Sequence, residues 1–232
     1  MMKDTELENF PEKLAIADAA AQLYVAQNGS FTLHEVAGKV DINVGELFQY
    51  FSDQQEIMYF YYASLVTRYR LMIDEIEEFS SFTLSEKLSN FAYASFDMMQ
   101  EREEFVSQTF ESYILNSCKK TEYEQKIEEL FSEFFEKDTG KSASSDLVIN
   151  KCSLRLFRKK YLHLVKFWLY DESEDKEVTI ELTDKVTGLI EEALYTSVVD
   201  RSFDLAKFLF SNDIISQKVP LWEKLTTSFE IR

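Results

Sequence analysis

The chain has 232 residues, 45% hydrophobic and 15% aromatic, which is enough apolar material for a folded core and excludes a wholly disordered chain. Its formal net charge of −17 disfavours nucleic acids and anionic membranes as general partners, because the mean field of the protein repels polyanions. Only five glycines and two prolines interrupt the sequence, so the composition predicts an all-α protein.

Two helices are predicted before residue 40. The first begins near Asn9, which we expect to act as its N-cap, and ends at Asn28–Gly29, a pair that favours the left-handed conformation. Thr32 with Glu35 three residues later predicts a capping box at the start of a short second helix. A small N-terminal unit of short helices is therefore expected.

Two more helices follow. Asn43 is expected to cap a third short helix, in which Leu47 and Phe48 pack inward. Asp53 caps a fourth helix, and its apolar stripe continues to Phe79. At 1.5 Å per residue this fourth helix is roughly 40 Å long, enough to join the N-terminal unit to a larger body.

The body is also predicted to be helical. Thr83 and Glu86 form a second capping-box pattern. Further segments are predicted as helices at 103–117, 121–137, 202–210 and after Pro220, with a loop at 138–146.

Two late helices have broad apolar faces of the kind found in helix-pair dimer interfaces. An ordinary monomer core would need the same residues, and the pattern leaves both interpretations open. The predicted dimer residues are Phe157, Tyr161, Val165, Trp168, Val186, Leu189 and Ala193, and the second face continues to Val198.

Three short helices followed by a long connecting helix are typical of a helix-turn-helix head. The residues that carry a further likeness are Ala19-Ala20, Gly29, Thr32, Glu35-Val36-Ala37, Gly45-Glu46-Leu47-Phe48-Gln49-Tyr50-Phe51 and Ile57. In this order and spacing they resemble the tetracycline-repressor (TetR) family of bacterial regulators, over about the first 60 residues.

The resemblance implies a homodimer of all-α subunits. Each subunit would have a DNA-binding head at 1–52 and a ligand-binding and dimerisation body at 53–232. The heads would enter successive major grooves of an operator, and a small ligand in the body would change their separation. The implied function is that of a transcriptional regulator that acts as a repressor, and the resemblance implies neither an enzymatic activity nor a cofactor.

Carried over residue by residue, the resemblance places Val44, Gly45 and Gln49 at base edges, and Thr32 and Tyr50 at phosphates. Lys39 and Asn43 flank the third helix and complete the predicted DNA-binding set.

Several residues depart from the family pattern. Asp41 replaces the turn glycine, Phe48 replaces a phosphate-binding tyrosine, and Gln54 replaces a lysine. Residues 1–57 contain three lysines and ten acidic residues, a net charge of −7 where DNA would bind. Because phosphate contacts supply most of the affinity for DNA, we predict weak binding with a shallow salt dependence, or none. The alternative function keeps the fold but makes the acidic head a protein-interaction or sensor module.

The body also contains candidates for binding. Its aromatic and sulfur-containing side chains are suited to a largely apolar ligand, although packing alone would need the same residues. The predicted pocket residues are Phe91, Phe96, Met99, Phe110, Tyr113 and Phe131. The stretch from Lys151 to Lys166 has six basic residues and no acidic one, which indicates either a solvated face paired with acidic neighbours or a site for an anionic effector.

The remaining motifs favour no catalytic or metal chemistry. His34 and His163 have no partners at metal-ligand spacing, and no phosphate-binding loop or nucleophile motif occurs. Cys118 and Cys152 are expected to be reduced. The sequence contains no signal peptide and no apolar run long enough to cross a bilayer, so we expect a cytoplasmic protein without a membrane partner.

Overall fold

The computed structural model describes residues 7–137 and 151–195. These residues form α-helices joined by turns and short 3₁₀ or π segments, with no strand among them, and the predicted all-α class is confirmed. The α-helices are α1 Phe10–Ala26, α2 Leu33–Lys39, α3 Val44–Tyr50, α4 Gln54–Asp74, α5 Leu84–Gln100, α6 Glu103–Phe110, α7 Glu122–Lys137, α8 Lys151–Tyr170 and α9 Glu177–Tyr195. The predicted loop at 138–146, Val198 and the helices predicted at 202–210 and after Pro220 lie outside the described residues.

Helix α1 and the short helices α2 and α3 form the head, and α4 runs from the head into the body. Four of the predicted caps are present: the side chains of Thr32, Asn43, Asp53 and Thr83 each accept a hydrogen bond from the backbone three residues later. The capping boxes at Thr32 and Thr83 are complete, because the side chains of Glu35 and Glu86 also accept hydrogen bonds from the backbone amides of these two threonines.

The predicted cap at Asn9 is wrong. Asn9 precedes α1, but its backbone is left-handed at φ 55° and its side chain makes no cap hydrogen bond. Asparagine tolerates this conformation, which turns the chain into α1 ahead of the proline in the first turn. Its backbone carbonyl accepts from the amide of Lys13 at 3.0 Å and so begins the helical ladder without the side chain.

Helix α4 is shorter than predicted. It ends at Asp74, which gives about 31 Å at 1.5 Å per residue, and the apolar pattern beyond it leaves Ile76 39% exposed. The next residues include Glu75, Glu77 and Glu78. Negative charge is unfavourable at a helix C-terminus, so this run opposes continuation of the helix. Phe79 instead packs against Phe134 of α7, with ring centroids 6.0 Å apart.

Buried apolar side chains form one cluster from Ile16 in the head to Leu194 in α9. Aromatic residues make up much of it; Tyr62, Tyr123 and Phe105 are all less than 2% exposed. The two polar tyrosines find partners inside the core: Tyr62 shares a 2.6 Å hydrogen bond with Thr109, and Tyr123 shares one of 3.1 Å with Tyr161. The head is therefore packed onto the body through a continuous core.

Candidate nucleic-acid and effector surfaces

The turn between α2 and α3 has the geometry that a helix-turn-helix requires. Asp41 is left-handed at φ 58°, and the amide of Ile42 donates to the carbonyl of Ala37 at 3.0 Å, closing a Schellman motif. Aspartate thus replaces the turn glycine as predicted, because its short polar side chain tolerates this region.

Helix α3 exposes Gly45, Phe48 and Gln49 on one face and buries Leu47 completely. A Cβ at Gly45 would lie 3.1 Å from Oδ1 of Asn43, so glycine leaves room beside the N-cap side chain. Asn43 is also exposed, whereas Val44 is half-buried. The exposed face is that of a helix that could lie in a major groove.

The inward packing predicted for Phe48 is wrong, since its ring is 54% exposed. Position 48 lies three residues after Gly45 and therefore on the same side of the helix. This periodicity in the sequence already indicated that Phe48 faces outward with Gly45. A phenyl ring at this place is suited to contact with a thymine methyl group, so Phe48 joins the candidate base-reading residues.

The amide and hydroxyl of Thr32, predicted to meet a phosphate, already bind a carboxylate within the head. Both donate to Oε2 of Glu35 at 2.7 Å. The hydrogen bonds from Thr32, with a further one from Gln27, lower the pKa of Glu35 below its ordinary value. Glu35 is therefore ionised at neutral pH, and its carboxylate takes both hydrogen bonds that Thr32 could have donated to a phosphate.

The start of α3 repeats this arrangement more loosely. Oδ1 of Asn43 accepts from the backbone amide of Glu46 at 2.8 Å, and the side-chain Nδ2 of Asn43 donates to the Glu46 carboxylate at 3.5 Å. Among the other predicted residues, Lys39 is exposed in the last turn of α2. Tyr50 is half-buried on the wall of a cleft between head and body. Gln54, which stands in place of the family's lysine, donates to the carbonyl of Phe31 and ties α4 to the α1–α2 link.

A polar contact fixes the head to the body at a second point. The guanidinium of Arg102, just before α6, donates to both carboxylate oxygens of Asp18 in α1, at 2.7 and 2.9 Å. This contact raises the pKa of Arg102 above its ordinary value. The edge of Tyr24 packs on Phe105, with centroids 5.6 Å apart. The start of α6 and the residue before it thus contact α1 of the head directly.

Three residues predicted for the dimer interface lie in the core of one subunit. Tyr161, Val165 and Trp168 on α8 are 6%, 0% and 2% exposed. Trp168 stacks on Phe96 at 5.4 Å, and α5 and α7 cover the rest of this face. These three side chains are buried within the subunit, whereas Leu156, Phe167 and Tyr170 of the same helix are exposed.

Helix α9 has the opposite arrangement. It buries Thr179, Thr183 and Thr187, one residue per turn. The hydroxyl of Thr187 lies 2.7 Å from that of Ser89 and 3.1 Å from that of Ser85, both on α5. These small side chains let the two helices approach closely and satisfy their hydroxyls.

The apolar side of α9 faces outward as a stripe, hereafter the α9 stripe, with spacings of four, four, three and four residues. Its members are Val178, Leu182, Val186, Leu189 and Ala193, all exposed. Leu189 alone is 66% exposed. Of the predicted dimer residues, Val186, Leu189 and Ala193 thus lie on the surface, and Phe157 is half-buried.

An apolar groove with a volume of about 350 Å³ lies between α5, α7, α8 and α9. Its walls include Leu88, Phe131, Phe157 and Val186, and Lys160 and His163 add polar groups. Of the predicted pocket residues, only Phe131 lines this groove. Phe91, Met99 and Phe110 are fully buried against neighbouring side chains, Phe96 borders a separate cleft beside Trp168, and Tyr113 is half-buried.

The basic stretch on α8 is divided between two roles. Arg158 pairs with Glu124 and with Glu128, and Lys166 pairs with Glu111 at 2.9 Å. Arg155, Lys159 and Lys160 are exposed. Pairing with acidic neighbours therefore accounts for part of the stretch, and Lys160 remains at the groove.

The sequence profile described as "Tetracyclin repressor-like, C-terminal domain" matches residues 87–209, more than half of the chain. The chain belongs to the tetracycline-repressor family. The TetR family consists of transcriptional regulators rather than enzymes, and the head and body described above are those of its all-α fold.

Solved structures of TetR regulators share this fold. The TetR transcriptional regulator from Nitrosomonas europaea ATCC 19718 superposes with a TM-score of 0.57 at 18% identity, covering 77% of this chain and 97% of that one. The TetR transcriptional regulator from Rhodococcus sp. RHA1 gives 0.53 at 15% identity, covering 78% and 97%. No curated protein matches this TetR-family chain significantly.

Over residues 7–137 and 151–195 of this TetR-family protein, no helix is long and apolar enough to cross a membrane. In the same ranges, no three potential ligands cluster in a way that would hold a metal ion. Cys118 is an exposed free thiol.

Proposed function

We propose that this TetR-family protein is a dimeric DNA-binding regulator, acting as a repressor, whose heads read an operator through Gly45, Phe48 and Gln49. The exposure of these three residues on one face of α3, behind a closed α2–α3 turn, is the observation that carries the proposal. The head at 1–52 and the body at 53–232 are proposed as its functional units, and the cytoplasm as its location.

The electrostatics support weak DNA binding. Glu35 and Glu46 place negative charge at the N-termini of α2 and α3, and the amides of Thr32 and Glu46 already donate to side chains of the head. Among the described residues on this surface, Lys39 is the lysine that could contact a phosphate. Few counterions would therefore be released from the DNA on binding. We expect a slope of log K against log salt of magnitude below about 3, since each phosphate contact contributes about 0.9.

Fluorescence anisotropy with DNA from upstream of the protein's own coding sequence, at several salt concentrations, tests this proposal. Gln49→Ala should weaken binding by about tenfold or more, because a bidentate base contact is worth 1–3 kcal/mol. Gln108→Ala, the same change at an exposed position on α6, is the matched control and should leave affinity unchanged. A slope typical of six or more phosphate contacts would contradict the proposed electrostatics.

The α9 stripe supports self-association. An exposed apolar row along a helix is more stable when a second copy covers it, and twofold symmetry would place α9 against its own equivalent. Val186, Leu189 and Ala193 are the proposed centre of this interface, with the half-buried Phe157 near its edge.

The apolar groove is the proposed effector site. Its lining suits a largely apolar ligand, and Lys160 would attract an anionic end. Because α8 and α9 form two of its walls, a ligand there would favour one arrangement of these helices and so one separation of the heads. Isothermal titration with a medium-chain fatty acid, for wild type and Lys160→Gln, would test it; equal affinities would exclude a role for Lys160.

The alternative function, a head that no longer binds DNA and acts as a protein-interaction or sensor module, is favoured by the carboxylates at Thr32 and Asn43. It predicts no operator binding even at 25–50 mM salt. The anisotropy experiment thus discriminates between the two functions.

A further inference from the structure

A second, larger cleft lies where the head meets the body. Its volume is about 990 Å³, and its walls come from α1, the α3–α4 link, α4, the segment 116–121 and the first turns of α7. It does not share a lining residue with the apolar groove. A molecule in this cleft would touch the head and the body at once.

The charged side chains around the cleft favour an anion. Lys13 on α1 and Lys119 before α7 both line it, and neither has an ion-pair partner among the described residues. Two further lysines are already engaged: Lys120 pairs with Glu128, and Lys126 with Glu122 at 3.5 Å. In a protein of net charge −17, Lys13 and Lys119 give this cleft two positive charges that no described carboxylate pairs with.

The acidic residues of the cleft are occupied within the chain. Glu56 accepts from the amide and hydroxyl of Ser52 at 2.7 and 2.6 Å. Asp53 accepts from the amide of Glu56 at 2.8 Å as the cap of α4. These carboxylates are therefore held at the helix start by their own hydrogen bonds.

Aromatic rings form another part of the wall. Phe10 and Phe60 lie with centroids 6.0 Å apart, and Tyr59 is next to them along α4. Ser64 and Thr67, 2% and 3% exposed, add buried hydroxyls one and two turns further along the same helix. A flat apolar group beside these rings could place an attached acidic group near the lysines.

We propose that the head–body cleft binds a small organic anion, with an aromatic or other flat apolar group against Phe10 and Phe60 and a carboxylate, sulfonate or phosphate held by Lys13 and Lys119. Because these lysines belong to the head and the body, the bound anion bridges them and fixes the orientation of the head. The proposal goes beyond the DNA-binding function, since the binding needs neither DNA nor the apolar groove.

Two fluorescent probes that differ in one sulfonate test the charge requirement: 1-anilinonaphthalene-8-sulfonate and its neutral analogue N-phenyl-1-naphthylamine. In Lys13→Gln/Lys119→Gln the Kd of the sulfonate should rise at least tenfold, because its charge-assisted contacts are lost. The Kd of the neutral analogue should change less than twofold. Both lysines lie outside the core, so the double variant should keep the fold, and a thermal melt checks this.

The matched control is Lys39→Gln/Lys185→Gln, which removes the same charge from one exposed head lysine and one exposed body lysine that do not line the cleft. Its affinity for the sulfonate should equal that of wild type. If both double variants weaken the sulfonate equally, the effect is one of net charge and the proposed site is wrong. The site is equally wrong if the sulfonate fails to bind wild type or binds the Lys13/Lys119 variant with unchanged affinity.

Cys118 lines the cleft and allows the site to be located directly. Saturating sulfonate should slow the alkylation of Cys118 by iodoacetamide at least fivefold in wild type, measured by peptide mass spectrometry, with Cys152 as the reference in the same sample. In Lys13→Gln/Lys119→Gln, at the same probe concentration, this protection should be lost. Unchanged Cys118 reactivity in wild type would overturn the proposal. None of these measurements involves DNA, so they fail or succeed independently of operator binding.

Discussion

The exposed face of α3 and the α9 stripe are two surfaces that a partner would cover, but they differ in how well their chemistry suits that partner. The α9 stripe is a continuous apolar row and would match its own copy. The α3 face is flanked by Glu35 and Glu46, whose negative charges would repel the phosphates of DNA, and Glu35 already accepts from the amide of Thr32.

This difference indicates which kind of interaction would hold a partner at each surface. A partner on the α9 stripe would be held by apolar burial, which is non-directional and is not screened by salt as ion pairs are. The proposed DNA affinity of the head would come from a few side chains on α3, because the usual contribution of phosphate contacts would be small here. The two surfaces should therefore respond very differently to single substitutions.

The largest effect is expected at the α9 stripe. Leu189→Glu would place a charge at the centre of the apolar row, and burying an unpaired carboxylate costs several kcal/mol. The dimer should dissociate, with a Kd at least about 100-fold higher in sedimentation equilibrium. Phe48→Glu, which adds the same charge to a 54% exposed side chain on the head, is the control and should remain dimeric. A dimeric Leu189→Glu protein would show that another surface mediates assembly.

The second-largest effect is a difference in stability between matched valine substitutions on α8 and on α9. Val165→Ala on α8 removes two fully buried carbons and should lower the free energy of unfolding by about 2 kcal/mol. Val186→Ala makes the same change on the stripe, where the side chain is 38% exposed, and should cost well under half as much. Urea denaturation of both variants in the monomeric Leu189→Glu background measures the contrast. Equal losses would mean that the stripe is buried within one subunit.

The position of α9 also depends on a carboxylate at its start. Asp171 accepts hydrogen bonds from Ser173 and from the amide and hydroxyl of Thr179, and these lower its pKa well below the ordinary value. Because the pKa is lowered in the folded state, this stabilisation is present above the ordinary carboxyl pKa and is lost as the pH falls below it. Asp171→Asn should therefore lower Tm at pH 7 and reduce the further loss of Tm between pH 5 and pH 3.

Thermal melts at pH 7, 5 and 3 test the role of Asp171. Asp74→Asn removes the same charge at an exposed position in α4 and should leave the pH dependence as in wild type. If Asp171→Asn and wild type lose the same Tm on acidification, other carboxylates dominate the acid unfolding.

The smallest effect is expected on the head. Glu35→Gln keeps a capping residue at the third position of α2 but removes the negative charge beside Thr32. Operator affinity should increase by about two- to fivefold, since a charge near a helix N-terminus is typically worth 0.3–1 kcal/mol. Glu181→Gln makes the same change in net charge on α9, outside the head, and should leave the affinity for the operator unchanged in anisotropy titrations. An equal gain in both variants would reduce the role of Glu35 to one of net charge.

Much of the fold could be predicted because local rules act within a few residues. The caps at Thr32, Asn43, Asp53 and Thr83 depend only on side chains three residues apart. Where a local rule had a competitor, the prediction failed. Asn9 could cap α1 with its side chain or turn the chain with its backbone, and it does the latter; the acidic run after Asp74 ends α4 although the apolar pattern continues.

The candidate sites were harder to predict, because an apolar periodicity does not show whether the apolar face of a helix packs inside the subunit or lies on its surface. The patterns on α8 and α9 look alike in the sequence, but Val165 lies in the core and Leu189 in solvent. The aromatic residues predicted for a pocket mostly fill the core instead. Nothing in the local sequence relates Lys13 to Lys119, which are more than 100 residues apart and meet at one cleft.

By itself, the sequence determined the all-α class, most of the helix starts and the likeness of the head to TetR regulators. These features depend on composition, on short-range capping and on the periodicity of each helix. Only the tertiary structure decided that α9 buries its threonines and exposes the α9 stripe, that Phe48 faces outward, and that Lys13 and Lys119 line one cleft between head and body. Each of these depends on which helices pack together, and packing is set by contacts between residues distant in the chain.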